Sequence, residues 1–287
     1  MGGLSKKASL IQELQRDGQQ PNLVVTGGNL LFPTDHLDAA DAQKAELATS
    51  AGVLAATQKM GATFAGIGSL DLAAGMEWLQ QLHKPPAFNW LSANLVDPTS
   101  LKPLFTPILH RQAGRVKIAI LAVTDHTAFQ NTGRDFIVQD WRATLPASVA
   151  TAEKDTDFVL LLSNYPYSEN LEIARAFSSI DVILQTGHAI GNMNPIPVNN
   201  ALLIQTDIRG KYLGVLDIDW QHRGAWTELP IPLDQKGAQQ AASTYSNRFL
   251  PIRQSLVSDL NIEALLQEAQ QTADAFTEKL LCGNERK

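Results

Sequence analysis

Four short segments of the 287-residue chain combine a glycine or serine turn with side chains able to hydrogen-bond or ligate. They are Gly27-Gly28-Asn29, Gly68-Ser69-Leu70-Asp71, Ser163-Asn164-Tyr165 and Gly187-His188-Ala189-Ile190. Each closes an apolar run, so each stands where a strand would end. Small residues there let the backbone approach a ligand closely, and in layered α/β folds ligands sit beyond the carboxyl ends of strands. Turning the chain into the next helix is a sufficient explanation for any one of them. Four in succession, bearing Asn, Ser, Asn and His, point to a shared polar rim.

Other titratable groups carry less. Asp35, His36, Asp38 and Asp41 form an acidic cluster, best read as a solvated loop and charges favoured at a helix N-terminus rather than as a metal site. Asp125-His126 ends an apolar run and could line the same rim, although a surface histidine explains it as well. His83 is expected at a helix end, where a cation is favoured, His110 in a β-run and His222 in a turn. None is spaced as a ligand pair. Trp90, Tyr165 and Tyr167 could line a cleft, but such aromatics belong more often to cores. The one cysteine, Cys282, excludes an internal disulfide and a cysteine-rich zinc site, and reads as a small apolar contact or a free thiol.

The elements that would position these groups alternate. A helix is expected over 5–17, with Leu10, Ile11 and Leu14 on one face, ended by Gly18 and Pro21. Runs 22–28 and 63–69 read as strands around a helix from about Ala39 to Met60, and a further helix covers 71–83. FNWLSANL (88–95) and PILHRQ (107–112) read as short strands. RVKIAILAVT (115–124), DFVLLLS (157–163) and DVILQTG (181–187) are the apolar runs of strands buried on both faces. Helices ending near Asp155 and covering 168–178 separate them. From 196, ALLIQTDI, KYLGVLDIDW and AWTELPI suggest an antiparallel meander. Two tail helices are expected at about 241–256 and 260–281, the second with Leu260, Leu265, Leu266, Ala269, Phe276 and Leu280 on one side. This order argues one layered α/β domain over 1–287, with the tail helices (about 241–281) as an appendage.

Composition narrows the partners. The chain is 44% hydrophobic and 18% charged with net charge −6, and no lysine/arginine block occurs. Nucleic acid is not an expected partner, because phosphate-backbone binding needs a concentrated basic surface. No apolar run approaches the ~18 residues of a membrane span. MGGLSKKASL has no signal-peptide core, and Lys6 stands where a myristoylation signal has Ser or Thr.

The ordered motifs resemble the 5′-nucleotidase (UshA-like) branch of the metallophosphoesterase, or calcineurin-like phosphoesterase, superfamily. Its Gly-Gly-Leu-Ala-Arg-Arg-like helix start is matched by Gly2-Gly3-Leu4-Ser5-Lys6-Lys7, and its Asp-Ala-Gly-Asp-Leu-Leu strand by Thr26-Gly27-Gly28-Asn29-Leu30-Leu31. Its Met-Gly-Tyr-Asp-Ala-x-x-x-Gly-Asn-His-Asp segment is similar to residues Met60 to Asp71. Leu-Ser-Ala-Asn-Leu stands intact at Leu91–Leu95. Leu-Ser-His is matched by Leu162-Ser163-Asn164, Gly-His-x-His by Gly187 to Ile190, and Gly-Lys-Tyr-Leu-Gly-x-Leu-Asp by 210–217.

That resemblance implies a four-layer αββα sandwich of two mixed sheets flanked by helices. It also implies an activity: two divalent cations, such as Mn or Zn, activate water for attack on a phosphoester. The positions that would hold them are altered. Asn29 stands for a bridging Asp, Ser69 for an Asn, Leu70 for the leaving-group His, and Asn164 and Ile190 for ligand His. His188 is kept, as is Asp71 as a supporting residue, while the family's Asp-x-His strand would precede residue 1. The expectation is a degenerate phosphoesterase domain without catalytic residues, metal or cofactor. It would bind an unknown small molecule or protein in a strand-end cleft ringed by Asn29, Ser69, Asn164 and His188. The alternative is an active 5′-nucleotidase-like phosphoesterase whose metals are held by other ligands or by an upstream Asp-x-His. The family's C-terminal nucleoside-recognition domain is not expected in 225–287, and the tail helices could make an oligomer or partner contact. The branch is bacterial and exported, so the periplasm is implied, with the cytoplasm left open.

Overall fold

A computed structural model describes residues 3–18, 20–37, 40–83, 87–129, 135–229 and 242–284, with the side chains of 17, 40–42 and 278–284 outside the description. Two compact units emerge, one of Met1–Trp90 with Ile252–Lys287 and one of Leu91–Pro251. The chain is a mixed α/β protein whose helices accompany several sheets, two of them mixed parallel and antiparallel.

The first unit is mainly helical. Helices α1 (Leu4–Asp17) and α2 (Ala40–Lys59) form where apolar positions recur at helical spacing. Strand β1 (Phe64–Gly66) pairs with β2 (Asn89–Leu91), and α3 (Met76–Leu82) lies between them in the chain. The apolar run at 22–28 does not become a strand. Only Thr26 pairs, in an isolated parallel bridge to Ala65, because the backbone turns away at Gly28, which has φ +118°. The helix expected over 71–83 is broken: a 3-10 turn at Ser69–Leu72 is separated from α3 by Gly75, at φ +86°.

The tail differs from expectation in two ways. Residues 243–251 form a strand rather than a helix, and belong to the second unit. The last helix, α6 (Leu260–Asn284), is not an appendage: it packs on α2, with Ile262, Leu266, Ala269 and Ala273 buried. Gly52 of α2 makes this possible, since a methyl group there would overlap Ala269. The stretch of that face from Ile262 to Ala273 is therefore covered within the unit. Leu260, expected on it, is 78% exposed, and the side chains of Leu280 and Cys282 lie outside the described residues.

The second unit is built on a six-stranded sheet. Its strands are β4 (Ile108–Ala113), β5 (Val116–Val123), β7 (Phe158–Ser163), β8 (Val182–Gln185), β9 (Met193–Val198) and β10 (Ala201–Gln205), in the order β4-β5-β7-β8-β10-β9. The four inner strands are parallel and the two edge strands antiparallel. Pro195 and Pro197 sit in edge strand β9, where a missing N–H is tolerated. Helices α4 (Trp141–Ala152) and α5 (Tyr167–Ala176) accompany the sheet, and one core joins Leu121, Val159, Leu161, Ile183 and Leu203 to Trp141, Leu145 and Ile173. Fully burying each such aliphatic side chain contributes about 1.5–3 kcal/mol.

The meander expected after 196 is not formed. ALLIQ joins the main sheet parallel to β8, because Leu202 and Leu203 are buried on opposite faces, as an interior strand requires. The next run, β11 (Tyr212–Asp219), pairs antiparallel with β13 (Ser243–Pro251), and β12 (Trp226–Glu228) pairs parallel with β13. Short strands β3 (Leu95–Val96) and β6 (Ile137–Val138) make a separate antiparallel pair.

Candidate functional site

In the first unit, the loop after Thr26 and the turn after β1 close on one carboxylate. Asp71 is fully buried and accepts four backbone N–H groups: Asn29 (2.7 Å), Leu30 (2.7 Å), Leu31 (2.9 Å) and Gly68 (2.9 Å). Burial pushes its carboxyl up to about 6, against the lowering pull of those donors. The backbones can converge because side chains are missing where they meet. A methyl at Gly28 would crowd Gly66 and Gly68, and one at Gly68 would overlap the Asn29 amide. Asn29 itself adopts φ +52°, and its Oδ1 accepts the Leu70 N–H at 3.0 Å. Asn29, Leu70 and Asp71 are thus brought together, with Ser69 on the same turn, and their polar atoms serve the backbone.

In the second unit, the carboxyl ends of β5, β7 and β8 lie side by side and present Asp125, Asn164 and His188. Asp125 is 1% exposed; its Oδ1 accepts Thr127 N–H at 2.9 Å and the Thr127 hydroxyl at 2.8 Å, capping a 3-10 turn at His126–Ala128. Its Oδ2 lies 3.0 Å from His188 Nε2. The His188 side chain is 56% exposed at φ +53°, so the buried carboxylate orients an imidazole whose other nitrogen is left for solvent or a ligand. Next to it, His126 Nδ1 lies 2.8 Å from the Tyr165 hydroxyl, and its Nε2 3.8 Å from Asp140. Burial raises the Tyr165 hydroxyl above its ordinary value.

The glycine before His188 is obligatory, because a methyl at Gly187 would overlap the Asn164 carbonyl oxygen. This close approach brings Asn164, buried at 3% exposure, to the root of the His188 loop. Ile190, two residues on, is 98% exposed. Asn94, in the Leu-Ser-Ala-Asn-Leu segment, ties the strand end from behind. It donates to Thr124 O and Gln139 O, both at 2.7 Å, and accepts Thr124 N–H at 2.8 Å.

The remaining candidates have other roles. Trp90 and Tyr165 are fully buried, whereas Tyr167 is 38% exposed. His83 stands at the end of α3, as expected, and there its Nδ1 accepts the Trp90 N–H at 3.1 Å while burial lowers its basicity. His110 and His222 are exposed. His36 pairs with Asp35 at 2.8 Å on the surface, Asp38 lies outside the described residues, and so does the Asp41 side chain. Among the described residues, no three His, Cys, Asp or Glu side chains are grouped so as to hold a metal ion. Sequence reasoning missed the Asp125–His188 pair, which joins residues 63 positions apart.

No family model matches the chain in sequence, and no curated protein does. Solved structures do match, and they define the class as the metallophosphoesterase fold. The sulfate thiohydrolase SoxB of Thermus thermophilus aligns over 93% of this chain and 46% of its own, with TM-score 0.72 and 18% identity. The 5′-nucleotidase precursor of the same organism aligns over 95% and 53%, with TM-score 0.71 and 16% identity. The calcineurin-like phosphoesterase YfkN of Bacillus subtilis aligns over 95% and 90%, with TM-score 0.67 and 17% identity. The chain spans about half the length of the first two. Among the described residues no helix is long and apolar enough to cross a membrane.

Proposed function

We propose that this chain is a non-hydrolysing relative on the metallophosphoesterase scaffold, which acts by binding at the strand-end rim of its second unit. The observation that carries this reading is the state of the one imidazole at the positions the resemblance marks as ligands. His188 directs Nε2 to Asp125, and no second imidazole or carboxylate stands at Asn164 or Ile190. At the corresponding positions of the first unit, Asn29 Oδ1 and both Asp71 carboxyl oxygens are engaged by backbone N–H groups. Leu70 and Ile190 offer only hydrocarbon. Two adjacent divalent cations need anionic carboxylates and several imidazole nitrogens, and the single remaining nitrogen of His188 does not meet that need. The rim instead offers amide and imidazole hydrogen-bonding groups to a small molecule or a protein surface. An exported, periplasmic setting agrees with the resemblance.

The test is turnover of p-nitrophenyl phosphate by the purified chain in the presence of manganese or zinc. The expected result is no hydrolysis above the metal blank. Saturable, metal-dependent turnover that His188→Ala abolishes would overturn the reading in favour of an active phosphoesterase.

A further inference from the structure

Behind the His188 loop lies a row of buried amides that the binding reading does not use. Val123, Ser163, Gln185 and Gln205 occupy one register row across the ends of β5, β7, β8 and β10. Gln185 and Gln205 are 3% and 5% exposed and end otherwise apolar strands, Val-Ile-Leu-Gln and Ala-Leu-Leu-Ile-Gln. Asn170, fully buried on α5, donates to Gln185 Oε1 at 3.1 Å and to Tyr165 O at 2.9 Å. Gln185 Nε2 donates to Gln205 Oε1 at 2.6 Å, and Gln205 Nε2 donates to Gly191 O at 2.6 Å. Gln185 Nε2 also lies 3.3 Å from Gly187 O.

We propose that Gln185 and Gln205 are positioning residues: with Asn170 they form a relay that grips both ends of the loop 187–191 and presents His188 and Ile190 as a preformed recognition element. The amides run head to tail: the Gln185 and Gln205 oxygens each accept and all three nitrogens donate onward, so inverting either glutamine breaks the bonds to both its neighbours, while Asn170 Oδ1 is buried without a partner. Buried amides are costly unless every member is used, and aliphatic side chains would fill these places with less penalty. Their visible use is the loop. His188 holds a left-handed backbone, which strains a non-glycine residue and persists only where the surroundings over-determine it. Three grips provide that: Gln185 on Gly187, Gln205 on Gly191, and Asp125 on the ring. Ile190 contributes nothing to holding the loop, since it is 98% exposed. A loop fixed before its ligand arrives avoids the ordering cost of binding.

What the element recognises rests on the binding reading above, but the relay can be tested without metal, substrate or ligand, so the two fail separately. In the full chain, backbone 15N order parameters of 187–191 are measured together with the His188 ring signals, for wild type, Gln205→Met and Gln185→Met. Methionine keeps the length and removes the amide. The wild-type loop is expected to be as rigid as the strands, with order parameters near ~0.85. In either variant those of the loop fall below ~0.6 and the His188 signals move, while α4 and β7 are unchanged. A mobile wild-type loop overturns the proposal even if neither variant folds. So do a loop and ring unaffected by both substitutions, or a loss of order spread evenly over the sheet.

Discussion

The strand-end clusters of the two units use a buried carboxylate in opposite ways. In the first, Asp71 turns inward and spends both oxygens on four backbone N–H groups, so the cluster is a knot that holds two loops together. In the second, Asp125 caps one short turn and uses its other oxygen to aim His188, whose ring reaches solvent. The same residue type thus binds backbone alone in one unit and also faces an exposed imidazole in the other. The decisive difference is what faces the carboxylate: unsatisfied backbone donors in one case, an imidazole in the other.

That contrast predicts unequal costs of substitution. Asp71→Ala strands four donors, each costing about 1–3 kcal/mol when left buried and unpaired. It should remove most of the stability of its unit in urea titration, about 4 kcal/mol or more. If loss is under about 1 kcal/mol, the knot is not what holds the loops. Glycine substitutions come next. Gly68→Ala and Gly187→Ala should each cost about 1–3 kcal/mol through forced overlap, but only Gly187→Ala should shift the His188 ring signals.

The first cluster should also respond to pH. Burial raises the folded Asp71 carboxyl to about 6, above its unfolded value near ~3.9. The folded state therefore binds that proton more tightly. Its contribution is full below about pH 4 and is lost as pH rises through about 6. Compared with wild type, Asp71→Asn should show a less negative slope of unfolding free energy between about pH 4 and 6; an identical slope would contradict this assignment.

Smaller still is Asp125→Asn. Asparagine caps a helical turn about as well as aspartate, so stability should change by less than about 1 kcal/mol. The His188 tautomer should invert, because the new amide donates to Nε2 instead of accepting from it; long-range 1H–15N spectra would record the switch. Ile190→Ser should lie within about 0.5 kcal/mol of wild type in thermal unfolding, as expected for an exposed side chain packed on nothing.

Much of the fold was legible because its cues are local. The buried runs that became β5, β7 and β8, and the periodic stretches that became α1, α2 and α5, carry their burial pattern in consecutive residues. The errors arose where pairing partners decide. Tyr245 and Phe249 sit at a helical spacing, but β11 captures that segment as a strand; Leu202 and Leu203 join the main sheet because it has room beside β8. Asn164 and His188 were legible as residues that follow neighbouring parallel strands, β7 and β8. What stayed hidden was which carboxylate serves which partner, since Asp71 to Asn29 and Asp125 to His188 are contacts between distant residues. Gln185 and Gln205 left a visible trace, a polar amide closing each of two apolar strands.

The central claim, that this scaffold no longer assembles a pair of catalytic cations, is tested most directly by metal content. The chain would be dialysed against excess manganese or zinc, passed over a desalting column and assayed by elemental mass spectrometry. The account predicts substoichiometric metal that His188→Ala leaves unchanged. Two ions retained per chain, lost on that substitution, would contradict it.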